Sequence, residues 1–257
     1  MCKSFFEALF GSVLKASSLS IVRFVFGLLF SCLLAGNCRA EELRFAPLVH
    51  LKLVSPVGAG DVGTLATEFT GNEIHMTLDN VAAGGASNAQ ELQTRLDRKD
   101  LSLLSSRIYD VVKGKPIRQM VRKTGTSLLG GGKAELFEYK EFSDGDKVTV
   151  TEPYVEFKVA DFVSVMLIAA DAINRQDLRP IDVSLLRDRS VVRATVKIVG
   201  PDTVGGHQGT VVRVAPPDNP TGGIAYTIAK TDDGAYFPAT IRAETTSGTV
   251  ELAGSIQ

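Results

Sequence analysis

The sequence predicts a mainly β protein of α+β character, a curved antiparallel sheet or open half-barrel wrapped around one short apolar helix. Three observations carry that expectation. Period-two alternation of apolar and polar residues recurs along the chain, as in "EIHMTLD", where Ile74, Met76 and Leu78 share one face. Glycine dipeptides separate the alternating runs: Asp144-Gly145, Asp233-Gly234 and Ser247-Gly248 suit tight hairpin turns, because glycine accepts positive φ. A single segment, "DFVSVMLIAADAIN" from Asp161 to Asn174, breaks the alternation and is apolar through its centre.

Taken from the N-terminus, the first element is a targeting segment. Lys3, Lys15 and Arg23 precede "FVFGLLFSCLLAG", which is followed by "NCRA" and then "EELRF". A basic region, an apolar core and a small residue before an acidic start are the layout of a secretory signal, with cleavage expected after Ala40. A retained membrane anchor is the competing reading. Ser20 and Arg23 interrupt its apolar run, which then falls short of the ~20 residues a spanning helix needs. The expected organisation is therefore 1–40 signal peptide and 41–257 one exported β-rich domain, located in the periplasm and without a transmembrane segment in the mature chain.

All three cysteines, Cys2, Cys32 and Cys38, precede the expected cleavage site. The mature chain then has no disulfide, thiol nucleophile or cysteine-held metal, and its stability must come from a packed core. Net charge is −1 over the whole chain, and removing the signal takes away more basic than acidic residues. A nucleic-acid partner is not expected from that balance.

Within the expected domain, the segment Asn88 to Lys99, "NAQELQTRLDRK", leaves two readings open. Leu92 and Leu96 stand four apart behind a capping Asn88, which suits a short helix, whereas a strand pairing with "RIYDVV" suits the same residues. The glycines of "LLGGGK" mark a break and not a phosphate loop, because Lys133 is followed by Ala134 where a Ser or Thr is needed. Further on, Val192, Ala194, Val196 and Ile198 alternate, as do Phe237, Ala239, Ile241 and Ala243, and then Val250, Leu252 and Ile256. Joined by short turns, these strands form an antiparallel meander.

The apolar segment reads as a helix. Asp161 can cap it, Asn174 can end it, and Arg175 complements the C-terminal dipole. Phe162, Val165, Met166, Ala169 and Ile173 line one face, while Val163, Leu167 and Ala170 line another. A helix apolar on most of its circumference is buried on more than one side, so the sheet is expected to curl around it.

The order of these parts, "DFVSVMLIAADAI", then "SVVRATVKIVGPDTVGGHQGTVVRV", then "AYTIAKTDDGAYFPATIRAETTSGTVELAGSI", resembles the DUF3108 family of exported proteins of unknown function. The shared features are the Asp161-led helix, the turn Gly205-Gly206-His207-Gln208-Gly209 and the closing hairpins with Pro238. That family is similar in turn to LolA-like lipoprotein carriers, so the resemblance implies a curved sheet holding helices on its concave side. It implies no catalytic residues. The tryptophans of the family are absent, since the chain has none.

No catalytic constellation, cofactor or metal site is expected. His50 and His75 fall on polar phases of their strands and His207 sits in a glycine turn. Ser164 has no strand-turn-helix elbow around it and is expected to bond back to the preceding turn. "DGD" at 144–146 lacks the further oxygen ligands of a calcium loop. One asymmetry remains: between Arg95 and Lys123 the chain carries nine basic residues against Asp97, Asp100 and Asp110. This is either a solvated face or a surface for anionic envelope partners. The expected function is a non-enzymatic binding or carrier module for an apolar or amphiphilic ligand. Its tail is expected beside Phe162, Val165, Met166 and Ala169, and its head near Arg118, Arg122 and Lys123. The alternative is a structural or assembly protein of the envelope, acting through contacts with other envelope proteins.

Overall fold

The computed structural model describes residues 42–54, 60–80, 90–126, 128, 130, 132–142, 147–153, 157–187, 190–216, 223–245 and 248–256. The expected signal segment with the three cysteines, the expected turn at Asp144-Gly145 and Ser247 lie outside the described residues. Leu43–Gln257 forms one compact unit.

Fifteen strands make a single sheet: β1 (Leu48–Leu53), β2 (Gly60–Thr70), β3 (Glu73–Asn80), β4 (Gln90–Asp97), β5 (Leu103–Asp110), β6 (Lys115–Thr126), β7 (Lys133–Glu141), β8 (Lys147–Thr151), β9 (Lys158–Ala160), β10 (Ile181–Arg187), β11 (Ser190–Val204), β12 (His207–Ala215), β13 (Ile224–Lys230), β14 (Tyr236–Thr245) and β15 (Gly248–Ser255). Their order is β8-β7-β6-β5-β4-β3-β2-β1-β15-β14-β13-β12-β11-β10-β9. Sequence neighbours pair as antiparallel hairpins, and β1 pairs antiparallel with β15, so the first and last strands meet in the middle of the sheet. The exception is β9, which pairs in parallel with β10 and reaches it through the helix α1 (Ser164–Asn174). The sheet curls until β9 rests against β5, and β6, β7 and β8 run on past that contact without closing the barrel.

Of the segment that the sequence left open, Gln90–Asp97 is a strand, and the expected cap Asn88 lies outside the described residues. β4 pairs with β3 through Leu92↔Leu78 and with β5 through Leu92↔Ile108. A spacing of four satisfies both periods, and Leu92, Thr94 and Leu96 all face inward in the strand. Long-range pairing on both sides, interrupted only by a register shift against β5 between Arg95 and Leu96, outweighs a marginal short helix.

Turn chemistry follows the residues. Gly205 and Gly206 both have positive φ (59° and 84°), as a two-residue hairpin between β11 and β12 requires. Pro238 stands in the interior of β14, where it removes a ladder donor; it is accommodated at a register shift opposite Thr227 and Ile228. Val250, expected on a buried face, is 41% exposed although it shares the phase of Leu252, because it pairs with Ala243 near the start of β15, toward one end of the sheet.

The core fills the concave side. Leu65, Ile74, Met76, Leu96 and Leu103 come from one arm of the sheet, Val183, Ala194, Val196, Val212 and Tyr226 from the other, and α1 lies between. Ser164 through Ala170 and Ala172 of the helix are all buried. At ~1.5 Å per residue α1 spans roughly 16 Å, about three strand spacings. Arg175 closes the helix, donating its backbone N–H to Asp171 O while its Nε lies 2.8 Å from the Asp171 carboxylate.

Candidate functional site: an apolar cavity at the leading end of the helix

The turn before α1 is built around Asp161. Its Oδ1 accepts from the backbone N–H groups of Val163 (3.1 Å) and Ser164 (2.8 Å), while Ser164 Oγ accepts from the Asp161 N–H at 2.8 Å. This reciprocal pair satisfies donors that a helix start leaves open. The Ser164 hydroxyl also donates to Asp161 O, the bond back to the preceding turn expected from sequence. Oδ2 of Asp161 accepts from Thr94 Oγ1 of β4 at 2.6 Å, and all three residues are buried. From the other arm, Tyr226 Oη of β13 donates to Phe162 O at 2.6 Å. Burial, reinforced by the negative charge of Asp161, pushes the Tyr226 hydroxyl far above its usual range and keeps it a donor. The turn is thus a strut that ties β4 to β13 across the inside of the sheet.

Beside this strut lies a cavity of about 510 Å³. One wall carries Leu92, Ser106, Ile108, Arg118, Met120 and Tyr139 from β4 to β7. The facing wall carries Leu185, Leu186, Val192, Val214, Ile224 and Ala243 from β10 to β14, and Asp161, Phe162 and Tyr226 complete it. The walls belong to arms far apart in strand order, so no ladder holds them together.

The residues expected to bind separate into three groups. Phe162 and Arg118 line this cavity together. Val165, Met166 and Ala169 are fully buried in α1 and do not line it: the concave side closes tightly around these residues, and the cavity lies at the start of the helix. Arg122 shares the inward phase of Arg118 but faces a separate cleft with Asp100, Ser102, Glu135 and Lys158, where it pairs with Glu135. Lys123 lies on the opposite phase and pairs with Glu138 at 2.9 Å. Ile108, Met120, Tyr139, Leu185 and Val192 are among the lining residues that the sequence reading missed. Their alternation is legible, but which inward residues face a void depends on how far the two arms stand apart.

The basic run is dispersed in the same way. Arg95 pairs with Glu73 at 2.6 Å, Lys113 with Asp110 at 3.0 Å, and Arg98 stacks over the Phe69 ring at 5.5 Å. Glu73 also meets His75 Nε2 at 3.0 Å, and the Arg95 guanidinium, followed by His75, holds its carboxyl below the usual 4.5. His50 and His207 stand on β1 and β12, and the His207 ring packs edge-on against Phe237 at 5.3 Å. Among the described residues no group of His, Cys, Asp and Glu could hold a metal ion, and no helix is long and apolar enough to cross a membrane.

No protein-family model matches the chain, and no curated protein matches it. Among solved structures it is similar to the crystal structure of a beta-barrel-like protein of domain of unknown function DUF1849 from Brucella abortus. Identity there is 10%, coverage is 84% of this chain and 97% of that one, and the TM-score is 0.45.

Proposed function

We propose that the protein is a non-enzymatic binding or carrier module that holds one apolar or amphiphilic ligand in the cavity at the start of α1. The observation that carries this reading is the cavity itself. Its volume of about 510 Å³ falls within the ~300–1,000 Å³ of sites that enclose a single small molecule, and its walls are mostly aliphatic and aromatic. Ile108, Met120, Leu185 and Val192 present apolar surface to the cavity, and an apolar ligand that displaces water from it gains the hydrophobic effect. The resemblance to exported proteins and lipoprotein carriers agrees with this reading, and we place the protein in the periplasm after cleavage behind Ala40. N-terminal sequencing of secreted material should begin at Glu41.

The test is organic extraction of protein purified from its own envelope, followed by mass spectrometry, with an Ile108→Trp variant beside the wild type. Wild type should yield a stoichiometric small amphiphile and bind an apolar naphthylamine probe; Ile108→Trp, which projects a larger ring into the cavity, should weaken both while keeping its fold. Equal probe binding by the two forms would reject the cavity as the site. The assembly reading rests on a different feature, the edge strand β8, where Val148 and Val150 are 52% and 43% exposed. It predicts empty extracts and a partner cross-linked at Val148.

A further inference from the structure

We infer that the edge strand β8 pairs with β8 of a second copy of this chain, antiparallel and centred on Thr149, so that two sheets join into one. The inference stands apart from the cavity reading, because no residue of β8 lines the cavity. The two edges of the sheet differ. β9 is three residues long and rests against β5. β8 is five residues long, lies on the overhang beyond that contact, and among the described residues pairs with β7 alone.

A strand sends the N–H and C=O of alternate residues to opposite sides, so the outer side of β8 carries backbone groups suited to another strand. Sheets guard such an edge with proline, a bulge, a charge or a covering element. β8 contains no proline, and its pairing with β7 runs from Lys147 to Thr151 without a register shift. Its one charge is Lys147, at the first position. Val148 and Val150 stand opposite Lys140 and Glu138, on the face away from buried Phe137, Tyr139 and Glu141, and are 52% and 43% exposed.

The order of residues in β8, Lys-Val-Thr-Val-Thr, selects the occupant. Turned antiparallel upon itself about Thr149, the strand sets Lys147 opposite Thr151, Val148 opposite Val150, and Thr149 opposite its own copy. No like charges face each other, two threonine hydroxyls meet at the dyad, and four valines gather on the outer face, all of which favour cross-strand pairing. Each valine pair is flanked by Lys140 of one copy and Glu138 of the other, which are opposite in sign. Centring on Val148 or Val150 would pair only three residues of the strand, so the Thr149 register has the greatest overlap. A foreign strand would have to supply this order, whereas a second copy always carries it. The contact is isologous and therefore closes at two copies. Five strand residues a side, against the ~20–30 of a stable interface, make the dimer a reversible one.

The experiment is sedimentation velocity on wild type, Thr149→Lys, Thr149→Glu and an equimolar mixture of the two variants, at concentrations rising to about 0.5 mM. Thr149 is exposed, so both variants should keep the wild-type melting temperature. Wild-type mass should rise with concentration toward twice the monomer. Each variant alone, with like charges meeting at the dyad, should dimerise at least about tenfold more weakly, and the mixture should recover because Lys then faces Glu. Register is read by cysteine cross-linking under mild oxidation, with wild type as the blank for Cys2, Cys32 and Cys38. Thr149→Cys should link to itself, and Lys147→Cys should link to Thr151→Cys but not to itself, since directly opposed Cβ atoms lie ~4.5–5.5 Å apart. A wild type that stays monomeric at the highest concentration overturns the inference. So does a dimer indifferent to both charges, or self-linking by Lys147→Cys as strong as that by Thr149→Cys.

Discussion

Replacing Thr94 by valine removes one hydroxyl from the buried strut and almost nothing else. Thr94 is 1% exposed and Asp161 4%, and the hydroxyl donates to the carboxylate at 2.6 Å. Valine keeps the branched shape, so no cavity opens, but one buried carboxylate oxygen loses its donor. A hydrogen bond to a charged group contributes about 1.5–3 kcal/mol, and the loss should fall in that range. At roughly 2–4 °C per kcal/mol for a domain of this size, the melting temperature should drop by about 3–12 °C. Urea denaturation with unchanged m reads the same quantity. The control is Thr249→Val on the exposed surface of β15, which should stay within about 0.5 kcal/mol of wild type. A Thr94→Val loss no larger than that control would refute the strut. So would full additivity with Asp161→Asn, since two groups sharing one buried bond must couple.

Leu167, fully buried in α1, should cost about 2–5 kcal/mol as Leu167→Ala and more as Leu167→Asp, measured by chemical denaturation; an unchanged melting temperature would place the helix outside the core. At Gly254 a Cβ would lie 2.0 Å from Pro238 O, so Gly254→Ala must displace backbone between β14 and β15 and should cost at least ~1–3 kcal/mol by thermal melting. Glu73 titrates below its usual 4.5 in the folded state because of Arg95 and His75. Its contribution is therefore present above pH 4.5 and is lost as pH falls through the lowered value. Glu73→Gln should flatten the acid side of a stability–pH curve and leave the alkaline side unchanged.

Legibility differed from element to element for physical reasons. The run Ile74, Met76, Leu78 could be read as one buried face because a strand alternates sides whatever lies beyond it, and all three are buried. The helix from Asp161 to Asn174 could be read because its composition excludes every exposed arrangement. The segment around Leu92 and Leu96 could not be assigned, since spacing four fits both periods and only the flanking strands β3 and β5 decide between them. At the candidate site, Phe162 and Arg118 were within reach of sequence reasoning. Met166 was expected to line a cleft because it is apolar and adaptable, but those properties suit a filled core equally well.

By itself the sequence determined local and cumulative properties: strand alternation, the buried helix with its capping aspartate, and the antiparallel meander that short connections impose. Each depends on neighbours within a few residues, where geometry leaves few choices. Only the tertiary structure decided that β1 pairs with β15, that β9 crosses to meet β5, and that the arms separate near Asp161 and close along Met166. It also decided which charges meet. Arg118, Arg122 and Lys123 are close in sequence, yet a strand sends alternate side chains to opposite faces and a curved sheet gives each position along it a different opposite wall. Their separate fates, with Glu141 at the cavity, Glu135 in another cleft and Glu138 on the opposite phase, follow from the pleat and the curl together.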